Sequence, residues 1–300
     1  MGGRMPEACL RVVGIMRSVS SAMTAAGVEG LAAIARDPQR ALLAFDFDGV
    51  ISPIVDDPEQ AQASPRVLRA LTSIGPGVGA VAIITGRPVS FLTSCEGFGE
   101  LASIPGFTVY GHYGREMWSG EAGFRTVVLA PASGEVAAVR EELARLLQQP
   151  GEYQGVWLED KGSSVAVHTR RAADPLGALA TLEGPVRELA LRHKLRVEPG
   201  KLVLEIRPDG VHKGDALRNI VREHQARAVL YAGDDLGDLS AFAVVDELRR
   251  AGVPGIKVCS GSPEAIEVAE AADVVVDGPD GVADLLESLA QKIDGARQVE

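Results

Sequence analysis

The chain has 300 residues, 46% of them hydrophobic and 24% charged, with a formal net charge of −11. That length suits two domains better than one, and the composition is that of an ordinary globular protein. The negative charge and an aromatic content of 4% exclude a general nucleic-acid or anionic-membrane binder, yet leave room for an anionic small molecule met by a few local cations or a metal.

Cys9, Cys95 and Cys259 are odd in number and far apart, so they form neither a zinc spacing nor a disulfide framework. Buried thiols in a reducing compartment are expected. No apolar run is long enough to span a bilayer. Arg4, Glu7, Arg11 and Arg17 interrupt the N-terminal apolar residues, which argues against a signal peptide and for a cytoplasmic protein.

Residues 1–27 carry no readable chemistry and are expected to be an N-terminal leader, part helix and part disordered. Val28 to Arg40 reads as a short helix. Ala41 to Phe45 is an unbroken apolar run that ends in Asp46-Phe47-Asp48-Gly49, the pattern of a strand buried on both faces of a parallel sheet. Ser64-Pro65 opens a helix, with Ser as N-cap and Pro at the first helical position, and Gly75-Pro76-Gly77 ends it. Val78 to Ile84 is a second buried strand, followed directly by Thr85-Gly86-Arg87-Pro88. Phe107 to Tyr110 is a third, leading into Gly111-His112-Tyr113-Gly114-Arg115-Glu116.

The pattern then changes. A strand at Phe124 to Leu129, a helix from Ser133 to Gln149, strands at Val156 to Leu158 and Ser164 to His168, and a helix from Asp174 or Pro175 to His193 follow in turn. Leu195 to Glu198 and Lys201 to Arg207 read as a hairpin turning at Pro199-Gly200. This succession predicts an inserted α+β domain over 123–208. Alternating strands and helices resume beyond it: His212-Lys213-Gly214 opens a helix to Gln225, and Ala228 to Ala232 is a buried strand ending in Gly233-Asp234-Asp235. Gly255 to Cys259, a helix from Ser262 to Ala271, Val274 to Val276 and a helix from Gly281 to Ile293 complete the chain. The expected fold is α/β, with a Rossmann-like parallel-sheet core over 28–122 and 209–300 split by the insert.

Four short pieces carry the chemistry: Asp46 with Asp48, Thr85 with Gly86, Lys213, and Asp234 with Asp235. Each alone reads more readily as a turn, a loop or a solvated side chain, and it is their joint occurrence in this order, each at a strand or helix end, that favours chemistry. In a parallel sheet, however, all the strand-end pieces share one edge, where ligands bind. Asp46 and Asp48 are two apart and can face the same way. Three converging carboxylates repel one another unless a divalent cation lies among them, and Mg²⁺ prefers a few carboxylates, water and phosphate oxygens. Lys213 as a cation and Thr85 as a hydroxyl donor suit phosphate.

In this order the four pieces resemble the motifs of the haloacid dehalogenase-like phosphatases. Within that superfamily, Leu158-Glu159-Asp160-Lys161-Gly162-Ser163-Ser164-Val165-Ala166-Val167-His168 and Gly200-Lys201-Leu202-Val203-Leu204-Glu205-Ile206-Arg207-Pro208 resemble the cap of trehalose-6-phosphate phosphatases. Gly111, Gly114 and Glu116 match that family's Gly-x-x-Gly-x-Glu segment. The resemblance covers about Ala41 to Leu289. It implies a phosphatase in which Asp46 is the nucleophile that forms an aspartyl phosphate and Asp48 is the acid and base. It further implies Mg²⁺ held by Asp46, the Asp48 backbone carbonyl and Asp234, with Asp235 or Asp238 orienting metal-bound water. Thr85, Gly86 and Lys213 would hold phosphate, and Glu159, Lys161 and Glu205 the sugar. Arg87 and His112 are further candidates for substrate contact, while His168, His193 and His224 are read as structural.

The expected partner is a small-molecule sugar phosphate, with no nucleic acid, membrane or obligate protein partner. A phosphatase for another sugar phosphate and a non-catalytic sugar-phosphate-binding regulator are the competing readings. Three positions depart from the family pattern. Val50 stands where Thr is usual, Gly237-Asp238-Leu239-Ser240 where Thr-Asp-Glu-Asp is usual, and Arg115 where Leu is usual.

Overall fold

The computed structural model describes residues 23–120, 123–126, 134–148, 153–161, 164–208, 212–261 and 266–297, with 123–126 described in backbone only. Most of the expected leader, Cys9, Gly162, Ser163, Asp209 and Gly210 lie outside these residues. The elements in order are α1 (Ala25–Arg36), β1 (Ala41–Phe45), α2 (Pro65–Ile74), β2 (Ala80–Ile84), α3 (Val89–Ser94), α4 (Phe98–Ala102), β3 (Phe107–Gly111), β4 (Glu116–Ser119) and β5 (Gly123–Thr126). Then come α5 (Gly134–Leu147), β6 (Trp157–Asp160), β7 (Val165–His168), α6 (Pro175–Arg192), β8 (Leu195–Gly200) and β9 (Val203–Pro208). The last group is α7 (Lys213–Glu223), β10 (Ala228–Gly233), α8 (Leu239–Arg250), β11 (Gly255–Ser260), α9 (Ile266–Ala271), β12 (Val274–Val276) and α10 (Gly278–Arg297).

The chain divides into two compact units, one of residues 1–126 and 212–300 and the other of residues 127–211. The larger is built on an eight-stranded sheet of order β12-β11-β10-β1-β2-β3-β4-β5. It is parallel from β12 to β3 and antiparallel at β4 and β5. All five residues of β1 are buried, which explains their continuous apolar run. Leu43 and Phe45 face a core with Leu31, Ile34, Val67, Leu71, Leu286 and Leu289 of α1, α2 and α10. Leu42 and Ala44 face a second core with Leu217, Ile220, Phe242 and Val245 of α7 and α8. Helices thus cover both faces, as the continuous apolar strands require. From β1 the chain winds outward through β2 and β3, then returns to the other side of β1 with β10. That reversal leaves a crevice beyond the ends of β1 and β10, where doubly wound sheets bind ligands.

The smaller unit has a four-stranded antiparallel sheet of order β6-β7-β9-β8. Strand alternation sends Val165, Val167, Leu204 and Ile206 into a core with Val139 and Leu143 of α5 and Leu182, Val186 and Leu189 of α6. Among the described residues, no helix is long and apolar enough to cross a membrane.

Four expectations need correction. Helix α1 starts at Ala25, inside the expected leader, because the Thr24 hydroxyl caps it by accepting from Gly27 N. Gly123–Thr126, expected to open the inserted domain, instead extends the central sheet through β4, a strand too short and half-buried to show in the sequence. The β8–β9 hairpin turns at Lys201-Leu202, where Leu202 has a positive φ of 55°, and not at Pro199-Gly200. Pro199 is tolerated within β8 because β8 is an edge strand. Finally, Cys259 is buried as expected, but Cys95 is only partly so.

Candidate active site

Asp46 follows β1 and Asp234 follows β10, strands that pair with Phe45 opposite Ala232. The Asp46 amide donates to Ala232 O at 2.9 Å, which carries the ladder to the first acid. The chain then turns at Gly49, with φ 73°. A Cβ on Gly49 would stand 2.1 Å from Asp234 Oδ2, so only glycine leaves room for that carboxylate. Ser260, at the end of β11, pins the turn by donating its hydroxyl to Gly49 O at 2.6 Å. Val50 is fully buried in the apolar core, so its methyl groups in place of a threonine hydroxyl meet apolar neighbours.

Lys213 is the first residue of α7 and is 3% exposed. A cation at a helix N-terminus opposes the helix dipole. Here carboxylates reverse that preference, because Lys213 Nζ lies 2.7 Å from Asp46 Oδ2, 2.8 Å from Asp238 Oδ1 and 3.7 Å from Asp235 Oδ1. Burial disfavours the ammonium, but Asp235, Asp238 and Asp46 outweigh it and raise its pKa well above 10.5. The remaining Asp46 oxygen, Oδ1, accepts from Phe47 N at 2.7 Å.

One ammonium does not neutralise this many acids. Burial is the main force raising Asp46 well above 3.8; Lys213 opposes it, while Asp238, Asp235 and Asp48 add to it. Asp234 is raised for the same reason, burial first, with Asp235, Asp46 and Asp238 adding to it. Asp238 differs. Burial works against its charge, yet the Lys213 ammonium and hydrogen bonds from Lys213, Tyr231 and Asp235 hold it below 3.8. Carboxylate oxygens of Asp46, Asp234 and Asp238 lie within 4.8 Å of one another. A hard divalent cation fits this uncompensated all-oxygen cluster. Asp238 already takes four donors on its two oxygens, so Asp46 and Asp234 are the better ligands. The Gly237 departure is accommodated too: Gly237 N donates to Asp235 Oδ1 at 2.9 Å, and Asp235 and Asp238 form a reciprocal capping box.

Thr85 follows β2 and is buried, its Oγ1 accepting from Arg87 N at 3.1 Å. The Gly111–Glu116 segment braces this loop. Tyr113 N donates to Thr85 O at 2.9 Å, His112 N to Arg87 O at 3.0 Å, and Val89 N to Glu116 Oε2 at 2.7 Å. The Glu116 carboxylate thereby meets the start of α3, and His112 is buried beside it. Arg87, expected among the substrate contacts, grips Asp48: Nε to Oδ2 and Nη2 to Oδ1, both at 2.7 Å. Its Nη1 donates to Pro58 O at 2.7 Å, and its plane lies over the Phe91 ring at 4.0 Å.

In the smaller unit, Glu159, Lys161 and Glu205 come together on the polar face of the sheet. Glu205 is 6% exposed; its Oε2 accepts from Lys161 Nζ at 2.9 Å and its Oε1 from Ser164 Oγ at 2.7 Å. Glu159 Oε2 is 3.9 Å from Lys161 Nζ and 2.8 Å from His168 Nε2. His168 stacks on Trp157 at 4.6 Å, and Arg171 lies over the Trp157 ring at 4.5 Å. The three residues are thus not scattered solvent-facing charges but one linked group. His193 pairs with Glu142 at 2.8 Å, in keeping with a structural role.

The sheet order, the acids at its switch point and the buried lysine are those of the haloacid dehalogenase-like fold. A haloacid dehalogenase-like hydrolase from Bacteroides thetaiotaomicron superposes with a TM-score of 0.57 at 19% identity, covering 83% of this chain and 99% of that one. The C-terminal domain of Candida albicans trehalose-6-phosphate phosphatase superposes with a TM-score of 0.72 at 22% identity, covering 90% of this chain and 98% of that one. A trehalose-phosphate phosphatase of Mycobacterium tuberculosis H37Rv is 33% identical over 286 residues, 93% of this chain and 67% of that one. A family model for trehalose-phosphatase matches residues 44–274. The chain belongs to the trehalose-phosphatase family, and with it to the phosphoric monoester hydrolases.

Proposed function

We propose that the chain is a Mg²⁺-dependent phosphatase that hydrolyses trehalose 6-phosphate to trehalose and phosphate through an aspartyl phosphate on Asp46. The observation that carries this reading is the Lys213 ammonium 2.7 Å from Asp46 within a buried, under-neutralised acid cluster at the sheet's switch point. Family membership supports the substrate.

A carboxylate oxygen of Asp46 attacks phosphorus and the bond from phosphorus to the sugar oxygen breaks, while Asp48 gives that oxygen its proton. Asp48 then takes a proton from water, whose oxygen attacks phosphorus and returns the Asp46 carboxylate. Arg87 fixes both oxygens of Asp48, which orients the carboxyl group for both transfers. Lys213 and the Thr85 hydroxyl, with the Gly86 turn, hold the phosphate oxygens. Bound Mg²⁺ would neutralise charge on the phosphate, and Asp46, the Asp48 carbonyl and Asp234 are the groups that would hold it. Asp238 and Asp235 steady the surrounding loop.

Glu159, Lys161 and Glu205 supply sugar recognition. Buried, charge-assisted partners discriminate strongly, because a substrate that lacks the matching hydroxyl leaves them unsatisfied. A phosphate-release panel across sugar phosphates, with and without Mg²⁺, tests the reading. Release from trehalose 6-phosphate that stops on chelation is expected. Rapid turnover of another sugar phosphate, with trehalose 6-phosphate untouched, would overturn the substrate.

A further inference from the structure

We infer that the hydroxyl of Tyr231 is a positioning group for Lys213, acting through Asp238; the inference rests on the phosphoryl-transfer reading of the site. Tyr231 lies within β10, three residues before Asp234, and is fully buried. Its ring packs edge-on against Phe242 at 6.0 Å. A phenylalanine would fill that space equally well, so packing accounts for the ring and not for the hydroxyl.

The hydroxyl donates to Asp238 Oδ1 at 2.7 Å. The same oxygen accepts from Lys213 Nζ at 2.8 Å. Asp238 Oδ2 accepts from the amides of Asp234 at 2.9 Å and Asp235 at 3.1 Å. Four donors fill the acceptor positions that a carboxylate offers. Gly233 makes room for this arrangement, since a Cβ there would stand 2.3 Å from Asp238 Cγ. Asp238 is therefore fixed on all sides and 0% exposed.

Lys213 is held between two acids, Asp238 at 2.8 Å and Asp46 at 2.7 Å. The Tyr231 proton takes up part of the acceptor strength of Asp238 Oδ1. Without it, that oxygen would have the ammonium as its one strong donor and would draw Lys213 away from Asp46. A buried hydrogen-bond network of this kind is sensitive to one missing member. Tyr231 therefore sets how much of the Lys213 charge is available to the nucleophile and the phosphate.

The test is a double-mutant cycle of Tyr231→Phe and Lys213→Met, read by calorimetric binding of inorganic phosphate to the Mg²⁺-loaded protein and by steady-state turnover of trehalose 6-phosphate. Tyr231→Phe is expected to weaken phosphate binding several-fold, to raise KM by a similar factor and to lower kcat about tenfold, because the Lys213 charge acts on the phosphate in the ground state and more strongly in the transition state. In the Lys213→Met background the same substitution should leave phosphate binding unchanged. Equal losses in both backgrounds or a Tyr231→Phe protein that fails to fold would give the hydroxyl a purely structural role, and no loss in either would give it no role in binding; each of these overturns the inference. A wild-type protein that binds phosphate but releases none from trehalose 6-phosphate would instead overturn the functional reading, while the binding cycle still decides the role of Tyr231.

Discussion

Arg87 holds Asp48 by both carboxylate oxygens, Nε to Oδ2 and Nη2 to Oδ1 at 2.7 Å each, while its remaining nitrogen is anchored on Pro58 O. A fork of this kind fixes the plane of the carboxyl group as well as its place. Lysine keeps the charge but cannot reproduce two parallel bonds. Arg87→Lys should therefore lower kcat about tenfold and Arg87→Ala about a hundredfold, the low end of what a positioned acid–base group supplies. KM should change little in both. Steady-state kinetics checks this, and a raised KM at wild-type kcat would make Arg87 a substrate contact and contradict the positioning role.

The crowding of Asp46 and Asp234 links stability to pH. Both carboxyl groups are raised above 3.8, chiefly by burial. The native chain then binds more protons than the unfolded one, so their contribution to stability is full below pH 3.8 and is lost as pH rises through their native values. A divalent cation relieves that loss, and its binding releases protons. The gain in Tm on adding Mg²⁺ to chelator-treated protein should be larger at about pH 7.5 than at about pH 5.5 by a few degrees. Thermal melts at the two pH values decide it; an equal gain would show that these acids do not host the cation.

Glu205 is buried between Lys161 and Ser164, so its neighbours fix it in one place. If this group reads the sugar, Glu205→Gln and Lys161→Met should lower kcat/KM for trehalose 6-phosphate at least about tenfold, since each leaves polar partners unmatched. Turnover of p-nitrophenyl phosphate, which carries no sugar, should stay within about twofold, because uniform loss is not expected from a specificity group. Parallel assays on the two substrates check this. Equal losses on both would show instead that the substitutions damage the fold.

Sequence patterns fixed the parts of this fold that depend on short-range order. The run from Ala41 to Phe45 reads as buried on both faces because it is apolar at every position, and the acids after it mark the strand's end. β4 was illegible because Glu116-Met117-Trp118-Ser119 is half-buried throughout, with no strong alternation. Asp46, Thr85, Lys213 and Asp234 are legible from their order and their places at strand and helix ends, but the ion pair of Lys213 with Asp46 is not, because residues so far apart in the chain leave no local trace of their contact. The partner of Arg87 is not legible in the sequence, since a bidentate pair 39 residues apart leaves no local trace. Tyr231 was hidden by its setting, an aromatic in an apolar strand. The one available signal was a polar tip in a segment where every neighbour is buried.

The central claim is that Asp46 carries the phosphoryl group. Acid-quenched single turnover of trehalose 6-phosphate labelled with ³²P tests it most directly. The account predicts a transient, hydroxylamine-labile label on the protein that maps to Asp46 and is absent, together with phosphate release, from Asp46→Asn. Phosphate release by Asp46→Asn at the wild-type rate would contradict it.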